Sequence, residues 1–101
     1  MGIKLEFLEN KLTARISGEI DHHSAADFRQ QIDNFIDKKK PEKIILDFNE
    51  VSFMDTSGIG FIMGRFKTAY NLGIKLKVIN IPKKLERLVK LSGIKNLGIL
   101  E

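Results

Sequence analysis

The stretch SFMDTSGIGFIMGRFK, residues 52–67, reads as a helix with an awkward start. Gly58, Gly60 and Gly64 interrupt a segment that has Ile59, Ile62, Met63 and Phe66 to bury. Each interior glycine costs about 0.5–1 kcal/mol relative to alanine. A helix that keeps three of them has a use for the missing side chains. On a helical cylinder Ile59, Ile62, Met63, Phe66 and Tyr70 share one face, which is expected to pack on a sheet. Three, four, seven and eight residues past Ser57 lie Gly60, Phe61, Gly64 and Arg65, which form a second face with Ser57 at its N-terminal end. Glycines there let another backbone come close, either inside the same domain or from outside. The buried stripe is already supplied by other residues, so an external partner is favoured. Phe61 beside Arg65 supports this, because aromatic residues and arginine are enriched at interface hot spots.

The flanking sequence supplies the sheet. IKLEFLE and KLTARIS alternate apolar and polar residues around Asn10 and Lys11, the pattern of an antiparallel hairpin with one buried face. A helix follows GEIDHHS, with Ala25, Phe28, Ile32, Phe35 and Ile36 at helical spacing, Asp21 or Ser24 as its cap and Pro41 as its stop. KIILDF reads as a strand covered on both faces or central to the sheet, and NEVSFM as a loop with apolar anchors. The glycine-bearing helix spans about residues 57–70 and ends at Gly73. KLKVIN is a strand. PKKLERLVKLSG is a helix with Pro82 near its first position, Gly93 as its C-terminal cap and Leu85, Leu88 and Val89 as its stripe; LGIL is a short last strand. The order β-β-α-β-α-β-α-β predicts an α/β domain spanning residues 1–101. Its sheet is mixed, mostly parallel, of four to five strands opening with the hairpin, with three or more helices packed on it.

Composition narrows the class. A chain of 101 residues with 43% hydrophobic content is one domain with a single core. The absence of cysteine rules out disulfides and thiolate metal sites. No apolar run is long enough to span a bilayer, and the N-terminus lacks the order of a signal peptide, so a cytoplasmic protein with no membrane contact is expected. The net charge of +4 is mostly lysine, with runs at Lys38–Lys40 and Lys83–Lys84. These runs read either as a nucleic-acid patch or as solvated helix ends, with Lys38 to Lys40 favourable at a helix C-terminus. No aromatics are interleaved with them, so no direct nucleic-acid binding is expected.

Ser57 has three readings. It can be a plain N-cap. It can be a nucleophile with Asp21, His22, His23 or Asp55 completing a set, although no G-x-S-x-G elbow is present. It can accept a phosphate, whose charge a helix N-terminus tolerates. Thr56 and Ser52 are rival hydroxyls; Ser52, in the apolar loop, is expected to be the less accessible.

GEIDHHSA and SFMDTSGIGFIMGRFK together closely resemble the sporulation anti-sigma-F factor antagonists, members of the STAS domain family (sulfate transporter and anti-sigma antagonist). The resemblance covers nearly the whole chain, including LSG at the end of the third helix. The chain ends at Glu101, where relatives commonly continue into a further helix. The resemblance implies a STAS-like fold and a regulatory protein rather than an enzyme. Unmodified, such a protein binds an anti-sigma factor that is also a serine kinase, and so frees the sigma factor. The kinase phosphorylates the serine before the glycine, which is Ser57 here, and binding is lost; a PP2C-like phosphatase restores it. No cofactor is expected on this chain, since ATP and Mg²⁺ belong to the kinase. Asp21 and Asp55 match acidic positions flanking the serine, and Arg65 a partner-contacting position. Thr56, Gly58, Gly60, Phe61 and Gly64 complete the implied partner-binding surface.

Overall fold

A computed structural model describes residues 2–101. Four strands stand in the order β1-β2-β3-β4: β1 (Gly2–Leu8), β2 (Lys11–Ile20), β3 (Lys43–Met54) and β4 (Lys75–Ile79). β1 runs antiparallel to β2, while β2, β3 and β4 are mutually parallel. The hairpin turn is one residue earlier than its sequence suggests. Glu9 and Asn10 take it, both at positive φ, and Lys11 already pairs with Leu8.

The crossover helices are α1 (His22–Lys39) and α2 (Thr56–Leu72), with α3 (Glu86–Ser92) after β4. Two right-handed crossovers stepping the same way across a sheet put their helices on the same face. The core lies between that face and the helices. Leu12, Ala14, Ile16 and Ile20 from β2 meet Ile44, Leu46 and Phe48 from β3, all buried. Arg15 on the far face pairs with Glu6 and, at 3.7 Å, with Asp47.

Three segments depart from expectation. NEVSFM, expected as a loop, is the second half of β3. β2 likewise continues through Gly18 to Ile20. Register shifts between Arg15 and Ser17 and between Gly18 and Glu19 break the alternation that would mark this stretch as strand. Gly18 sits at φ 84°, a conformation that favours glycine, and the shift returns Ile20 and Met54 to the core as a pair. The third helix is split: a 3₁₀ turn at Lys83–Leu85 precedes α3, and Gly93 caps the end at φ 83°. The last expected strand shrinks to one parallel bridge, Leu100 with Val78. α1 and α2 match more closely. Ala25, Phe28, Ile32 and Ile36 bury α1, and Gly73 caps α2 at φ 71°.

Candidate functional site

Because β2 and β3 are parallel neighbours, the two helices that leave them start side by side. Ile20 pairs with Met54 at the strand ends, and the Asp55 N–H donates to the Ile20 carbonyl at 3.3 Å. Asp21 and Asp55 follow directly, and each is the N-cap of its helix. At α1 the cap is closed in both directions. The Ser24 N–H donates to Asp21 Oδ1 and Ser24 Oγ accepts from the Asp21 N–H, each at 2.9 Å. The bond from the Ser24 backbone foremost, and a weaker one in which the Ser24 hydroxyl donates to Asp21 Oδ1 at 3.2 Å, hold the Asp21 carboxyl below its ordinary pKa. At α2 only half of this is built. The Ser57 N–H donates to Asp55 Oδ1 at 2.7 Å, but Gly58 occupies the third helical position and has no side chain to return the bond.

The three glycines separate into two kinds. A Cβ on Gly58 would lie 2.8 Å from Met54 Sδ and 2.9 Å from Met54 Cβ, so internal packing demands glycine there. A Cβ on Gly60 or Gly64 would meet nothing within 4 Å. Nothing inside the domain explains those two, and the face they occupy is open. They floor a shallow groove of about 360 Å³ between α1 and α2, with Ser57 at its N-terminal end.

Phe61 and Arg65, expected on the exposed face, are buried at 4% and 5% exposure. α2 lies against both the sheet and α1, so its buried arc is wider than one stripe. The Phe61 ring meets Phe28 of α1 edge-on with centroids 6.3 Å apart. Arg65 Nε lies 3.2 Å from Asp33 Oδ1 of α1, and its guanidinium sits 5.9 Å from the Phe61 centroid. Burial pulls the Arg65 pKa below its ordinary value, Asp33 raises it and Arg29 lowers it further. The other side of the helix pays in exposure: Tyr70, expected against the sheet, is 74% exposed, and Met63 is exposed as well. Phe66 is half-buried.

Among the hydroxyls, Thr56 is exposed, Ser57 half-buried and Ser52 exposed, the last contrary to expectation because its strand faces solvent there. Among the described residues, Ser57 makes no side-chain hydrogen bond with His22 or His23, whose rings meet each other 5.8 Å apart. No helix of the described residues is long and apolar enough to cross a membrane. No group of three or more His, Asp or Glu side chains among them converges as a metal site.

The STAS domain family matches residues 2–99. The chain belongs to the STAS domain family. It is 36% identical over 92 residues to an anti-sigma F factor antagonist of Paenibacillus polymyxa, covering 91% of this chain and 79% of that protein. An anti-sigma-B factor antagonist of Bacillus subtilis (strain 168) is 34% identical over 89 residues, covering 88% and 80%. The solved structure of the anti-sigma factor antagonist SpoIIAA in its unphosphorylated form superposes with a TM-score of 0.87 at 26% identity, over 99% of this chain and 86% of that one. The phosphorylated form of the Bacillus cell fate determinant SpoIIAA gives 0.79 at 26% identity, over 99% and 89%. This STAS domain therefore shares its architecture with both states of that protein.

Proposed function

We propose that this chain is an anti-anti-sigma factor. Its unmodified form binds an anti-sigma factor that is also a serine kinase, and so releases the sigma factor that the kinase holds. The observation that carries this reading is the groove floored by Gly60 and Gly64, two glycines that the domain's own packing does not require. The relatives named as anti-sigma factor antagonists support it. Gly60 and Gly64 admit the partner's backbone. Phe61 and Arg65, being buried, hold the groove's floor in place instead of meeting the partner as expected. Asp21 and Asp55 fix the two helix starts beside it.

Phosphorylation of Ser57 by the kinase, from its own ATP and Mg²⁺, switches binding off, and a PP2C-like phosphatase restores it. A phosphate brings about −1.5 to −2 charge to the mouth of the groove. Bulk and charge suffice there, because a hundredfold loss of affinity is only about 2.7 kcal/mol. The fold is retained. The exposure of Thr56 favours a second reading of the acceptor, since a kinase reaches an exposed hydroxyl more readily than a half-buried one.

A pull-down from native extract, with and without ATP, followed by mass spectrometry of both proteins tests all of this. We expect an anti-sigma factor to be retained, and ATP to release it as phosphate appears on Ser57. Retention that is indifferent to phosphate contradicts the switch. Phosphate on Thr56 alone moves the acceptor by one residue. The retained factor also names the pathway. An anti-sigma-F factor fits the sporulation role that the sequence resemblance implies, and an anti-sigma-B factor fits the role named for the Bacillus subtilis relative.

A further inference from the structure

The groove beside Ser57 is lined by cations. On α1, His22, Ala25, Ala26 and Arg29 all line it, at i, i+3, i+4 and i+7, the spacing of one helix face. The middle of that face is small and its ends carry the imidazole and the guanidinium. A long helical side chain leans toward its helix N-terminus, which carries Arg29 toward the Ser57 end. Arg65 lines the groove from α2. Its Nε and Nη1 are buried and take no hydrogen bond, although Asp33 Oδ1 lies 3.2 Å from Nε. Arg29 acts on Arg65 as a like charge. Asp33 pairs with Arg65, Arg29 has no ion-pair partner among the described residues, and no carboxylate lines the groove.

We infer that the groove is a receptor for a phosphoryl group carried by Ser57: Arg29 and His22 bind its oxygens, and Arg65 supplies positive charge from the floor. The phosphate then lies over Gly60 and fills the space in which a partner's backbone would sit. This inference rests on the phosphorylation of Ser57 proposed above. Asp21 and Asp55 at the helix caps oppose the pairing. His22, and His23 next to it, favour it further once protonated.

Phosphoserine encoded at position 57 during translation allows the test on the full chain, with no kinase and no anti-sigma factor present. The probe is the ³¹P NMR titration of that phosphate. An ordinary phosphoserine has a second pKa of about 6, and a cation in contact lowers it. We expect a value at least about half a unit below that. Arg29→Gln should raise it by about the same amount, Arg29→Lys should keep most of the shift, and Lys39→Gln should leave it alone. A wild-type value at or above about 6, or one that Arg29→Gln moves no more than Lys39→Gln does, overturns the inference. If no anti-sigma factor binds, the functional reading falls, and if the kinase chooses Thr56 the acceptor moves by one residue, while this titration still reports on the groove.

Discussion

α1 and α2 begin alike and end their first turns differently. Each leaves the end of a parallel strand, each is capped by an aspartate, and the two caps are neighbours. At α1 the third helical residue is Ser24, a buried residue whose hydroxyl also donates to the Glu19 carbonyl at 2.9 Å. At α2 the third residue is Gly58, Met54 fills the space where a side chain would go, and Ser57 is left half-buried at the mouth of a groove. One start is sealed and holds the fold; the other is left incomplete and faces outward. A single position thus separates a closed helix start from an open one of the same topology.

Five substitutions or modifications break or sharpen that contrast. The largest effect expected is on binding. Phosphate on Ser57 should weaken the purified anti-sigma factor's affinity about a hundredfold, or about 2.7 kcal/mol by calorimetry, with an unchanged circular dichroism spectrum. Next comes Gly58→Ala, which gives the open start the side chain it lacks. Its Cβ would collide with Met54 Cβ, a backbone-anchored atom that cannot swing away. Overpacking of this kind costs about 1–3 kcal/mol, read from the denaturant midpoint. Ser24→Ala at the sealed start should cost about 1–2 kcal/mol, since it leaves the Asp21 N–H and the Glu19 carbonyl without their partner. Ser57→Ala should stay within about 0.5 kcal/mol of wild type. The last stability change has the opposite sign. Gly60→Ala should stabilise by about 0.5–1 kcal/mol, because the new methyl meets nothing and the helix propensity improves, while binding of the partner weakens.

The sealed cap also has a pH signature. The folded-state pKa of Asp21 is lowered, so its contribution to stability is complete above the ordinary carboxylate value of 3.8 and is lost as pH falls through the lower folded value. Ser24→Ala should move the Asp21 midpoint slightly upward in an NMR titration, since it removes the hydroxyl bond but keeps the backbone N–H that is the larger cause of the lowering. A midpoint that stays put would mean that the Ser24 hydroxyl does not contribute to it.

Much of this arrangement is legible in the sequence because it is local. Asp21 and Ser24 each read as a cap, and the structure uses both in one box. The spacing from Ser57 to Gly60 and Gly64 gives the groove's floor directly. What the sequence hides is which neighbour claims a helix face. α2 has apolar residues at 59, 61, 62, 63, 66 and 70, enough for two overlapping stripes, and its own periodicity cannot choose between them. α1 chooses: Phe28 and Asp33 draw Phe61 and Arg65 inward, and Tyr70 is left outside. The strand through NEVSFM is obscured for a similar reason, because the irregular pairing with β2 disturbs the alternation that would reveal it. The empty space beside Gly60 and Gly64 is likewise a property of two helices together, so sequence alone can state a need for room without saying which glycine serves the inside of the domain.

The most direct test of the groove is an NMR titration of the isotope-labelled chain with the purified anti-sigma factor. The amide signals of Ser57, Gly60 and Gly64 should shift or broaden first, with Ala26 and Arg29 across the groove close behind. Perturbations confined to α3 or to the polar face of the sheet around Arg15 and Asp47, with Gly60 and Gly64 unmoved, would contradict the account.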